Sequence, residues 1–144
     1  MEKLYKKLSD LQATLFVLYH KTWVYHWHIV GPDFTQLHEL FGSQKDALGL
    51  EIDSVSEHLR FLGAKPLSSL RRVVDVSRVD EAKSNIDSTE MIRDLLEDHK
   101  KVISLLSEAS RESEALNSRG TTNLLDGFNT DHGKHIWFLR SFLE

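Results

Sequence analysis

At 144 residues the chain fits one domain with a real hydrophobic core, and 40% hydrophobic residues with two prolines and seven glycines exclude a long disordered region. The lack of cysteine rules out disulfides and thiolate metal sites; MEKLYKKLSD has no apolar signal core and no run approaches the roughly 20 apolar residues of a membrane span, so the expectation is a cytoplasmic protein. A net charge of -4 argues against non-specific nucleic-acid binding, and the basic cluster of Lys3, Lys6 and Lys7 is too small, and too embedded in a helical pattern, to reverse that.

The first helical pattern spans residues 4 to 29. Leu4, Leu8, Leu11, Leu15, Leu18, Thr22 and Tyr25 recur at alternating spacings of four and three, the stripe of an amphipathic helix. His26 falls within about 20° of Leu15 and therefore on that stripe, whereas His28 projects to the opposite side. Gly31-Pro32 ends the helix, because proline disfavours a helical residue before it and glycine tolerates the turn. A second helix is predicted from about Phe34 to Leu62, burying Leu37, Phe41, Leu48, Ile52, Val55, Leu59 and Leu62 and stopping at Gly63 ahead of Pro66. Its other flank carries His38, Gly42, Asp46, Gly49, Asp53 and Glu57 within an arc of about 100°. With the apolar stripe turned into the bundle, that flank faces outward and suggests a subunit contact.

Residues 64 to 87 have no long period and are too many for an ordinary loop. SSLRRVV predicts a short helix inside a crossover long enough to traverse a bundle. A third helix is expected from Ser88 or Thr89, with Glu90, Asp94, Glu97 and Asp98 toward its N-terminal part as the helix dipole prefers. It buries Ile92, Leu95, His99, Val102, Leu106 and Ala109, and Gly120 is its expected stop. A fourth runs from about Thr122 to Leu143 and buries Leu125, Phe128, His132, His135, Leu139 and Phe142. Two long helices, a long crossover and two more helices give an all-α, ferritin-like four-helix bundle, a single domain over residues 1–144.

Histidine nitrogen and carboxylate oxygen gathered on helices suit a divalent metal. Asp53 and Glu57, four residues apart, project from one side of their helix and can hold one cation. Taken alone such a pair is usually a solvated face, and His26 alone is more often a core histidine. Together with His38 these groups surround one helical hairpin. A di-iron site inside one bundle normally uses Glu-x-x-His on two helices. Thr35, Val55, Leu96, Asn129 and His132 stand three residues before His38, His58, His99, His132 and His135, so no such motif is present. His132 and His135 form an H-x-x-H pair whose place on an apolar stripe favours packing, as does that of His99.

With these residues in view the sequence closely resembles the Dps-type mini-ferritins over nearly its whole length. The resemblance is carried by YHWHIVGPDFTQLHELF, by Asp53-x-x-x-Glu57 with the following LRFLGAKP, and by KHIWFL near the C-terminus. It implies a site shared between two subunits: Asp53 and Glu57 of one chain with His26 of a second chain would hold the first iron, and His38 of that second chain would help hold the second iron. It further implies a hollow homo-dodecamer that oxidises Fe(II), with hydrogen peroxide preferred to oxygen, and stores ferric mineral. Trp27 would quench stray oxidising equivalents or simply pack, and Glu39 would face the cavity.

The sequence departs from the family at Gly42, where an acidic residue commonly stands. The second iron position is therefore expected to be the weaker, with Asp46 compensating through water. Helical pattern from Leu4 to FLRSFL leaves no Lys-rich tail, so weak or absent DNA binding is expected. Asp126 and Asp131 are candidate pore residues, with surface carboxylates the equal alternative. The rival functions are a DNA-compacting or shell-forming protein with weakened ferroxidase activity, and a four-helix zinc-binding module using His28 or His58.

Overall fold

A computed structural model describes residues 1–144 as five helices: α1 (Glu2–His28), α2 (Phe34–Phe61), α3 (Leu70–Val76), α4 (Ser88–Ala115) and α5 (Arg119–Ser141). The long helices form the expected four-helix bundle, and α3 lies in the crossover between the hairpins and packs on α1. The stripe of α1 from Leu4 to Tyr25 is buried along its length. It shares one core with Leu37, Phe41, Leu48, Val55 and Leu59 from α2, Ile92, Leu95, Val102 and Leu106 from α4, and Leu125 and Leu139 from α5. No helix is long and apolar enough to cross a membrane.

The helix ends follow local chemistry. Gly63, at φ +95, lets α2 finish with Gly63 N–H donating to Arg60 O (3.0 Å) and Ala64 N–H to Leu59 O (2.8 Å), a paired closure that needs a left-handed residue. Ser69 caps α3 by accepting from Arg72 N–H, and Asp87 caps α4 by accepting from Glu90 N–H.

The end of the third long helix differs from expectation. It stops at Ala115, because Asn117 takes the left-handed conformation (φ 58) and completes the same closure, with Asn117 N–H on Glu114 O (2.9 Å) and Ser118 N–H on Ser113 O (2.8 Å). Asparagine tolerates that region nearly alone among residues with side chains. Gly120 is thereby freed to sit inside the first turn of α5, which starts at Arg119 and not at Thr122. Phe142, expected in the core, is 38% exposed, and Phe128, Ile52, Leu62 and His135 are only partly buried.

Two polar networks cross this core. In the first, Lys21 Nζ sits 2.7 Å from Asp98 Oδ2 and 3.2 Å from Asp94 Oδ2, and Tyr25 donates its hydroxyl to Asp94 at 2.6 Å while accepting from Lys83 N–H. It binds α1 to α4 and pins the crossover between them. Burial pushes the Asp98 carboxyl up, with Lys21 pulling the other way; burial and the Asp94 hydrogen bond also raise the Tyr25 hydroxyl. In the second, Glu51 of α2 meets His132 of α5, which meets His99 of α4, with His135 alongside.

Lys21→Met leaves Asp94 and Asp98 buried without their cation, and should lower stability by about 3–5 kcal/mol in urea unfolding. The second network sets an acid limit. Desolvation first, then the neighbouring histidines, hold His99 well below the ordinary histidine value; desolvation and His132 hold His135 down to about 4. The unfolded chain therefore binds protons that the folded chain refuses, so stability present at pH 7 is lost as pH falls toward 4. His135 alone accounts for on the order of 3 kcal/mol over that interval, readable as a falling urea midpoint in chelator-treated protein.

Candidate metal centre

The Gly31-Pro32 turn folds the end of α1 back along the start of α2 and brings His26 and His38 face to face. Gly31 adopts φ +114, which a residue with a side chain would resist. The two imidazoles stack with centroids 3.7 Å apart and planes 15° off parallel. Their bonds are reciprocal: His26 Nδ1–H donates to His38 O at 2.5 Å, and His38 Nδ1–H donates to His26 O at 2.7 Å. A carbonyl only accepts, so each Nδ1 carries the proton and the neutral ring keeps its lone pair on Nε2. The carbonyl of His26, in the last turn of α1, has no amide ahead of it in the helix and is satisfied in this way. Backbone carbonyls behind metal-binding histidines orient them by the same hydrogen bond.

This packing accounts for Gly42. The His38 carbonyl points along α2 toward residue 42, and a ring donating to it must lie against that residue. A Cβ at position 42 would stand 3.0 Å from His26 Cε1 and 3.1 Å from His26 Nδ1. Glycine here therefore makes room for a histidine. The sequence marks the residue as a missing ligand, and its steric purpose was visible only once His26 was seated on it.

Asp53 and Glu57 are exposed on the outer flank of α2, as expected from their arc, and neither has an ion-pair partner in the chain. His38 and Asp53 are separated by about 22 Å along the axis of that helix. One chain therefore does not bring the four candidate residues together, and no three of its His, Asp or Glu side chains converge closely enough to hold a cation. Asp46 is exposed on the same flank. It pairs with Lys45 at 2.6 Å, and the Lys45 ammonium lies 4.8 Å above the Trp23 ring.

Among the remaining candidates, Trp27 is 54% exposed and lies against Trp23, ring centroids 4.9 Å apart and planes tilted by 44°. Glu39 and His28 are exposed. His58 shares a 2.8 Å hydrogen bond with Thr121 and lies over Phe61, and its burial lowers its proton affinity. Asp126 accepts from Ser110 across the α4–α5 hairpin, and Asp131 is exposed. Glu51 escaped notice in the sequence. Its place in the Leu48, Glu51, Val55 series put a carboxylate on an apolar stripe, which was the available signal.

Residues 5–144 match the ferritin-like domain family. The DNA protection during starvation protein 2 of Bacillus anthracis is 28% identical over 144 residues, covering 100% of this chain and 96% of its own. The Dps of Thermosynechococcus elongatus superposes with a TM-score of 0.97 at 27% identity, covering 99% of this chain and 91% of that one. The Dps protein of Vibrio cholerae, described as a member of a broad superfamily of ferritin-like diiron-carboxylate proteins, does so with a TM-score of 0.95 at 26% identity, over 99% and 92%. The chain belongs to the ferritin-like family, as a Dps-type mini-ferritin.

Proposed function

We propose that the protein stores and detoxifies iron, taking Fe(II) at a ferroxidase site that two copies of the chain complete together. Asp53 and Glu57 of one copy and His26 of a second hold the first iron, and His38 of the second copy contributes to the next. One observation carries this reading. The two halves of the donor set stand about 22 Å apart in one chain, yet each is presented for coordination, the carboxylates exposed without cationic partners and the imidazoles with Nδ1 tied back and Nε2 left free.

The division of donors suits the reaction. Imidazole holds the softer Fe(II), and carboxylate oxygen favours the harder Fe(III) that oxidation produces. With hydrogen peroxide as oxidant, two Fe(II) each give one electron, the O–O bond breaks, and two protons complete two waters. Both ingredients of hydroxyl-radical production are thereby consumed; oxygen is the slower alternative. Hydrolysed Fe(III) then passes to a mineral inside a hollow dodecamer. The negative net charge supports weak DNA binding. His58, occupied by Thr121, weighs against the rival zinc module that would recruit it.

A mixing experiment tests the shared site. His26→Ala with His38→Ala, and Asp53→Ala with Glu57→Ala, should each abolish rapid Fe(II) oxidation in stopped-flow with peroxide. Unfolded and reassembled together at equal amounts, half of the subunit pairs are mixed, and each mixed pair has one intact site of two. About a quarter of the wild-type rate should return. A mixture as inactive as its components would sink the shared-site reading.

Position 42 offers an independent check. Gly42→Glu supplies the acidic side chain that family resemblance calls missing, but drives a Cβ into the His26 ring. The expected outcome is a slower oxidation rate and a loss of roughly 1–3 kcal/mol of stability from overpacking. A faster rate would mean that the ligand matters more than the room.

A further inference from the structure

The buried histidine cluster lies in the middle of the bundle, away from the outer flank of α2 that carries Asp53 and Glu57. Glu51 Oε2 lies 2.7 Å from His132 Nε2, and His132 Nδ1 lies 2.8 Å from His99 Nδ1. His135 completes a triangle of rings, with centroid separations of 4.9, 5.1 and 5.5 Å. Glu51, His99 and His132 are all at least 95% buried, yet Glu51 Oε1, His99 Nε2 and His135 Nε2 have no hydrogen-bond partner. A core packed only for stability would not leave several polar atoms unpaired around one buried carboxylate.

We infer that His99, His132 and His135 form a second metal site, internal to each subunit, that takes a zinc-like divalent cation, with Glu51 as the carboxylate that orients His132. The Glu51 bond fixes His132 with its proton on Nε2 and turns the Nδ1 lone pair toward His99, the arrangement by which a carboxylate prepares a ligating histidine. Three imidazoles around one tetrahedral ion with N–metal bonds of about 2.1 Å place their ring centroids about 5 Å apart, the spacing of this triangle. In the cation-free chain one proton joins the two Nδ1 atoms and no three donors yet converge. A cation replacing that proton, which moves to the other ring nitrogen of His99, Nε2, needs those two Nδ1 atoms about 3.4 Å apart, an opening of roughly half an ångström. The buried negative charge of Glu51 then has a permanent counter-charge. Because the ligands stand on α4 and α5 and Glu51 on α2, the ion would staple the two hairpins where α2 and α5 otherwise touch little.

The test uses full-length protein carrying Asp53→Ala and Glu57→Ala, which removes the acidic half of the shared site. Titrated with Co(II), it should bind about one ion per chain with the intense visible bands of tetrahedral, nitrogen-rich coordination. Adding Glu51→Gln should weaken that binding about 10- to 100-fold, and adding His132→Gln should abolish the bands while circular dichroism stays helical. X-ray absorption of the Zn(II)-loaded parent should count three imidazoles, a readout that stands even if His132→Gln fails to fold. Absence of the tetrahedral bands, their survival in a folded His132→Gln protein, or an oxygen-dominated zinc shell would overturn the site. None of these outcomes bears on iron oxidation, which the mixing experiment decides separately.

Discussion

The rigid rise of α2 constrains everything proposed for this chain. Fifteen residues of helix keep His38 and Asp53 about 22 Å apart whatever their side chains do. The Gly31-Pro32 turn adds His26 to the histidine end, whereas the one histidine beside the acidic pair, His58, is turned to Thr121. A bundle whose faces are set by a leucine stripe on one side therefore exports the two proposed half-sites on the other. The helix is at once the scaffold that orders each half and the reason neither is sufficient.

In the histidine half the ordering is done by backbone. Reciprocal bonds from two imidazoles to two carbonyls seat the stacked rings of His26 and His38, so their geometry is tied to the α1–α2 turn itself. The core works differently. There a lysine with two aspartates and a tyrosine, and a glutamate with three histidines, connect α1 to α4 and α2 to α5 through buried charge. Such groups are costly to bury and strongly destabilising to break singly. They make the bundle more sensitive to loss of one partner than an all-leucine core would be.

Much of this was legible in the residues. The stripe from Leu4 to Tyr25, the stop at Gly63, the short helix in SSLRRVV and the outward arc of Asp53 and Glu57 all follow from a period of 3.6 and from local turn chemistry. The end of α4 was not, because Asn117 and Gly120 compete for the same task and a sequence scan favours glycine; the hydrogen bonds to Ser113 and Glu114 decided for asparagine. Gly42 and Glu51 were opaque for another reason. The meaning of each depends on a residue from another helix, His26 in one case and His132 in the other, and no single-helix pattern contains that information.

The pairing of Lys45 with Asp46 changes how the outer flank of α2 is charged. Asp46 has a cation beside it, whereas Asp53 and Glu57, two turns further on, have none; they stand a turn apart and repel one another in the isolated chain. A cation settling between them would remove that repulsion, and on the proposed reading a neighbour's imidazoles would complete its shell. On the proposed reading a metal bound there would be more than cargo: it would act as the counter-ion of a contact between subunits, holding together what the bare carboxylates push apart.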